Sequence, residues 1–218
     1  MLEPQSKSLD SEPSPGRPEG STPAAPPDLL LLERARAHDP GAWQALMQRY
    51  NQRLFRIARS VLGSAEAAAQ RVEEAYLHAC AELPHFDPGG KLSGWLSQLT
   101  FGKALAARRE AFRGAPKEAP TAPADGAEPS AVERAIDDLP EVFRTVFVLR
   151  NLEGVSGPET AACLGINETT VRTRLYRALR RLPAGVAARA SAERSMIFKL
   201  EPALGERIIK GVLANMKR

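Results

Sequence analysis

Residues 156–182, SGPETAACLGINETTVRTRLYRALRRL, confine this part of the chain to two short helices joined by a tight turn. Ser156 and Glu159 form the Ser-x-x-Glu pair of a capping box, in which each side chain satisfies a backbone donor that the first helical turn leaves free. Gly165 supplies the left-handed backbone that ends the first helix, because it has no Cβ to clash there. Asn167 is placed to accept from a free N–H at the start of the second helix. Ala161 is small enough for the two helices to cross closely, and Val171 seals the crossing. Val171, Leu175, Ala178, Leu179 and Leu182 recur at helical spacing and are expected to form one buried stripe. Thr169, Arg172, Thr173, Tyr176, Arg177 and Arg180 are then left facing outward. An ordinary solvated hairpin shares the basic face, but not the double cap, small residue, turn glycine and buried valine at these offsets. A helix-turn-helix presenting such a face suits the major groove of DNA.

The rest of the chain divides by composition. Residues 1–27 are rich in Pro, Ser, Gly and Glu, too poor in apolar side chains to offset the entropy of ordering, and are expected to form a disordered tail. Residues 28–112 read as a helical domain. Asp28 is expected to cap a helix from Leu29 to His38. Asp39-Pro40 restarts the chain, with Asp39 as cap and Pro40 at the first helical position. That second helix runs to about Leu62, turns Trp43, Leu46, Met47, Tyr50, Leu54, Ile57, Ala58 and Val61 inward, and stops at Gly63. Ser64 opens a third helix that ends near Leu83-Pro84. The loop HFDPGGK follows, then a fourth helix from Leu92 into Arg108-Arg109 with Leu92, Trp95, Leu96, Leu99 and Leu105 inward.

Residues 113–130 form a second polar, Pro- and Ala-rich stretch that reads as a linker. Fully extended it would span roughly 60 Å at about 3.3–3.6 Å per residue. Residues 131–182 form a second helical domain, with helices near 131–138, 141–151, 157–164 and 168–182. An extension, 183–218, opens Ala-rich and continues into an amphipathic helix at 204–217. Its stripe of Ile208, Ile209, Val212, Leu213 and Met216 is free to dock on the helix-turn-helix domain or on a partner. No strand alternation is present, so the fold class is all-α: two small helical domains on a flexible linker.

With 218 residues the chain can hold one medium domain or two small ones, and its net charge of +4 favours a polyanionic partner without requiring one. Cys80 and Cys163 have no Cys or His at metal-ligand spacing, which points to buried free thiols. His38, His78 and His85 lie apart, His85 beside Asp87 reads as a loop pair, and no phosphate-cradling glycine loop is present. No catalytic residue, metal or cofactor is therefore expected. No hydrophobic run reaches membrane-spanning length, and no signal peptide is apparent, so membrane insertion is not expected and a cytoplasmic location is.

Two helical domains on a linker, the second a helix-turn-helix, resemble the extracytoplasmic-function (ECF) group of sigma-70-type RNA polymerase sigma factors. The carrying residues cover about 29–182. LLERARAHDPGAWQALMQRYNQRLFRIARSVLG is similar to the opening helices of sigma region 2. VEEAYLHACAELPHFDPGGKLSGWL is similar to the stretch that joins polymerase contact to minus-ten recognition. LPEVFRTVFVLRNLEGVSGPETAACLGINETTVRTRLYRALRRL is a dense match to sigma region 4.

The resemblance implies a factor that binds core RNA polymerase, directs it to a two-part promoter DNA and catalyses nothing itself. It assigns core contact to Glu66, Glu73 and Glu74, the latter two expected to be exposed. It assigns the minus-ten element to Phe86, Lys91, Lys103, Arg108 and Arg109. The minus-thirty-five element falls to Thr169, Arg172, Thr173, Tyr176, Arg177 and Arg180, with Arg177, Arg180 and Arg181 nearest the phosphates. It also implies an anti-sigma protein wedged between the domains, which the linker permits. The alternative is a sigma-like DNA-binding regulator that does not support initiation. Three departures from the family pattern bear on this: Ala67, Ala68, Ala69 and Gln70 replace much of an acidic cluster, Cys80 stands where Trp is frequent, and Phe101-Gly102 and Ala106 occupy the melting surface. Gly102 inside a helix costs about 1 kcal/mol relative to Ala.

Overall fold

The computed structural model describes residues 28–87, 89–114 and 129–216. The expected tail, 1–27, and most of the expected linker lie outside the described residues. Among these the structure is helical, without strands: α1 (Asp28–Arg36), α2 (Pro40–Leu62), α3 (Ala65–Glu82), α4 (Leu92–Gly114), α5 (Ala131–Asp137), α6 (Glu141–Phe147), α7 (Gly157–Leu164), α8 (Glu168–Arg181), α9 (Val186–Ala192) and α10 (Pro202–Asn215).

Local chemistry sets most of these boundaries. The Asp39 carboxylate accepts from the N–H groups of Gly41 and Ala42, and Gly63 ends α2 at φ 74° while donating to the Arg59 carbonyl. Ser64 caps α3 by accepting from the Ala67 N–H at 3.3 Å. The first helix departs from expectation. It contains Asp28 and stops at Arg36, and His38 lies beyond it at φ 57°. Asp28 is engaged by Arg49 and by the Tyr50 hydroxyl, both on α2. Burial, helped by the Asp28 carboxylate, pushes the Tyr50 hydroxyl pKa upward. α4 continues to Gly114, past the expected end, and a Cβ at Gly102 would meet open space. Nothing in the structure explains glycine at that position.

Trp43, Leu46, Met47, Leu54, Ile57, Tyr76, Leu83 and Leu96 fill the core of the first domain. The Trp43 indole N–H donates to the Ala35 carbonyl at 3.2 Å, so α1 is tied to α2 by a buried hydrogen bond. The Tyr76 hydroxyl is buried among these side chains and finds no hydrogen-bond partner among the described residues. An unpaired buried hydroxyl costs about 1–3 kcal/mol, and Phe keeps the ring without it. Tyr76→Phe is therefore expected to raise the midpoint of thermal unfolding, measured by circular dichroism; a lowered midpoint would show that the hydroxyl is satisfied.

The second domain closes around Ile136, Phe147, Val148, Leu152, Ala178 and Leu182, together with Ala190, Ile197 and Phe198 from the extension. Ser130 and Glu133 make a capping box at the start of α5. The helix expected over 141–151 is one rod of two geometries, α6 followed by a wider π turn at Val148–Leu152. Gly154, at φ 64°, lies just beyond this turn.

The two helical domains pack on each other: α2 packs on α6, α4 packs on α7, and Leu149 and Cys163 join the core of the first domain. The stripe of α10 does not dock on the helix-turn-helix domain. It lies on α3 and α2 of the first domain, where Ile208 and Val212 are buried. The physical reason is that apolar burial is non-directional, so a stripe docks wherever the chain path brings complementary apolar surface.

Candidate nucleic-acid and polymerase interfaces

The helix-turn-helix is built by its caps. Ser156 Oγ accepts from the Glu159 N–H at 3.3 Å, and Glu159 Oε2 accepts from the Ser156 N–H at 3.2 Å. Gly165 ends α7 at φ 63°. Asn167 Oδ1 accepts from the Thr170 N–H at 2.7 Å and starts α8. Ala161, Val171 and Val146 close a small apolar cluster beneath the crossing.

This leaves Thr169, Arg172, Thr173, Tyr176, Arg177 and Arg180 exposed along one side of α8. The Thr173 hydroxyl donates to the Thr169 carbonyl, and Arg180 lies 6.0 Å from the Tyr176 ring centre. Among the described residues no carboxylate pairs with Arg172 or Arg177, so their donors face outward unspent.

Leu179 departs from the expected buried stripe and is exposed. At about 100° per residue, Ala178 and Leu182 fall within about 20° of Val171 around the helix, whereas Leu179 falls about 80° away. Arg181 is also redirected, its guanidinium lying 5.1 Å over the Phe143 ring.

The five residues assigned to the minus-ten element do not form one free face. Phe86 is half-buried, with its ring 4.8 Å from that of Trp95. Lys91 pairs with Glu159 of α7 at 2.5 Å. That contact, with the Ser156 hydrogen bonds, holds the Glu159 carboxyl down to about 2. Arg108 donates to the Val61 carbonyl at 2.7 Å and pairs with Glu141 of α6 at 3.0 Å. Lys103 is half-buried, and Arg109 is exposed. Two of the five therefore end on carboxylates of the second domain.

The three acidic residues assigned to polymerase contact share α3, but their setting corrects the expected exposure. Glu66 is exposed and pairs with Arg207 of α10 at 2.6 Å. Glu73 is half-buried beneath α10, whose Gly211 sits against its carboxylate. Glu74 is half-buried and pairs with Arg71 at 2.9 Å. Cys80 and Cys163 are free thiols, and burial pushes each up to about 12.

Between the domains lies a charged lattice that sequence reasoning missed. Arg56 and Arg53 meet Glu153 at 2.8 and 3.2 Å. Arg59 holds Asp137 through two bonds of 2.9 and 2.8 Å. Arg144 donates to the carbonyls of Ser60 and Asp137, and its burial lowers the guanidinium pKa. One signal was available: Arg53, Arg56 and Arg59 recur every three residues on one face of α2, a spacing that aligns side chains.

Comparison with known proteins agrees with this architecture. Sigma-70 region 2 matches residues 46–113, and sigma-70 region 4 matches residues 130–182. The fold and its helix-turn-helix thus define a two-domain sigma-70-type factor. The chain is 31% identical over 166 residues to the ECF RNA polymerase sigma factor SigM of Mycobacterium tuberculosis, covering 71% of this chain and 82% of that protein. It is 27% identical over 164 residues to SigE of Mycolicibacterium smegmatis, covering 69% of this chain but only 63% of that relative's length. The solved structure of CnrH in complex with the cytosolic domain of CnrY is similar with a TM-score of 0.53 and 25% identity, covering 76% of this chain and 98% of that one. The chain belongs to the extracytoplasmic-function family of RNA polymerase sigma factors, promoter-recognising proteins that direct transcription initiation and are not themselves catalysts. Among the described residues no helix is long and apolar enough to cross a membrane.

Proposed function

We propose that this chain binds core RNA polymerase through α3 and carries it to a two-part promoter, reading the minus-thirty-five element with α8 and meeting the minus-ten element with the 85–91 loop and α4. The carrying observation is the outer face of α8, capped at its start and exposed from Thr169 to Arg180. Arg172 and Thr173 lie in its N-terminal half, the part of a recognition helix that reaches base edges, and Tyr176 follows about one turn on from Arg172 along the same face. Such a factor works in the cytoplasm alongside polymerase. A regulatory protein partner fits the same reading, in line with the solved complex of CnrH with the cytosolic domain of CnrY.

In vitro transcription with core polymerase on genomic fragments tests this directly. Core-dependent start sites are expected. DNA binding without core, with no core captured in pull-down, would instead establish a stand-alone regulator. Charge reversal on α3 tests the polymerase surface: Glu73→Lys with Glu74→Lys is expected to weaken core affinity at least tenfold in a calorimetric titration while helicity is retained. Unchanged affinity would show that this face of α3 does not meet polymerase.

A further inference from the structure

The segment that follows the helix-turn-helix is gripped by both domains. Residues 194–200 lie in the seam between them. The Arg56 guanidinium, almost fully buried, donates to the Ile197 carbonyl at 2.9 Å and to that of Arg194, besides pairing with Glu153. The Gln52 amide donates to the Phe198 carbonyl and accepts from the Leu200 N–H, both at 2.9 Å. It thereby satisfies main-chain groups on both sides of Lys199. From the other domain, Glu133 accepts from the Phe198 N–H at 2.7 Å. Arg59 lies 4.9 Å over the Phe198 ring. Phe198 also adopts φ 46°, a backbone region disfavoured for any residue with a Cβ, and contacts from both domains hold it there.

From this seam the chain turns at Pro202 into α10 and crosses α3. Ile208 and Val212 enter the first domain's core, Arg207 pairs with Glu66, and Gly211 lies so close to Glu73 that a Cβ there would overlap the carboxylate. Glu206 and Lys210 pair with each other on the outer side. A 14-residue helix is marginal alone in water, so α10 depends on this packing for its order.

We infer that residues 194–216 are an internal clamp: the 194–200 strap holds the two domains closed, and α10 competes with core polymerase for α3. The inference rests on the reading of α3 as the polymerase surface. Docked α10 puts a guanidinium on Glu66 and main chain over Glu73, where a basic polymerase surface would have to sit. The closed domains meanwhile keep Lys91 and Arg108 on Glu159 and Glu141, away from DNA phosphates. Release of the clamp frees both surfaces together.

The test uses the full chain. Ile208→Glu with Val212→Glu undocks α10, and Gly211→Leu with Arg207→Glu does so at its contacts with Glu73 and Glu66, without replacing a core side chain. For each variant, amide hydrogen exchange across α10, α3 and α2 is measured together with the dissociation constant for core polymerase. α10 is expected to lose protection, α2 to keep it, and core affinity to tighten at least tenfold. Unprotected α10 with unchanged or weaker affinity would overturn the clamp. If the first pair also unprotects α2, the second pair decides the question. Adding Glu73→Lys and Glu74→Lys to each undocked variant and repeating the titration separates two kinds of failure. Where undocking changes nothing but charge reversal still weakens binding, the clamp is wrong and α3 remains the polymerase surface. Where neither changes affinity, the α3 reading falls and the clamp falls with it.

Discussion

Arg172→Ala is expected to flatten base preference at one or two positions of the minus-thirty-five element while leaving the rest of the selected sequence intact. A bidentate arginine–guanine pair discriminates by about 1–3 kcal/mol, roughly 5- to 150-fold. Arg172 can deliver that because its guanidinium is exposed, and because Val171 beside it is buried under the crossing and fixes the rotation of α8. Arg180 provides the contrast. It lies more than two turns further along, near the Tyr176 ring, where phosphate contact is the expected role. Phosphate contacts position without specifying sequence. Arg180→Ala should weaken binding to all sequences alike and reduce the log–log salt slope by about one unit. Selection from a randomised promoter library at two salt concentrations separates the outcomes. An unchanged selected motif for Arg172→Ala would mean that α8 enters the groove in another rotation.

Glu153→Ala is expected to open the molecule. Its carboxylate is the shared anion of Arg53 and Arg56, and the side chains of Glu153 and Arg56 are 9% and 6% exposed. Removing one partner of a buried ion pair costs about 3–5 kcal/mol, because the remaining charge stays desolvated. The chain has an escape from that cost. Arg56 keeps its carbonyl partners at Ile197 and Arg194 only while the seam is closed, and separating the domains returns the guanidinium to water. The variant should therefore show a larger radius of gyration by solution X-ray scattering and faster amide exchange over 194–200, with helicity of the first domain preserved. A compact variant with an unchanged seam would show that apolar packing of Leu149 and Cys163, not charge pairing, holds the closed form.

Much of the chain was legible locally. Asp39 with Pro40, Gly63 and Ser64 set the ends of α2 and the start of α3. Ser156, Glu159, Gly165 and Asn167 set the helix-turn-helix as read, because each acts on backbone groups a few residues away. The outward face of α8 was legible for the same reason: periodicity is a local property, and only Leu179, at the margin of the stripe, was misassigned. Those residues also carry the promoter-reading proposal, which is why that part of the function could be reached without coordinates.

What the tertiary structure alone decided concerns charges and stripes whose partners lie far away in the chain. An arginine on a helix surface is satisfied equally by water, by DNA phosphate or by a carboxylate about a hundred residues on. The three-residue spacing of Arg53, Arg56 and Arg59 marked a shared face but not its partner, so Arg56, which found Glu153, read like Arg172, which faces solvent. Lys91 and Arg108 read as DNA ligands and are met by Glu159 and Glu141 for the same reason. The stripe of α10 was visible in the sequence, but its place on α3 was not. Apolar burial has no direction, and the route through Gln52, Glu133 and Arg56 that delivers the helix there exists only once both domains have folded against each other.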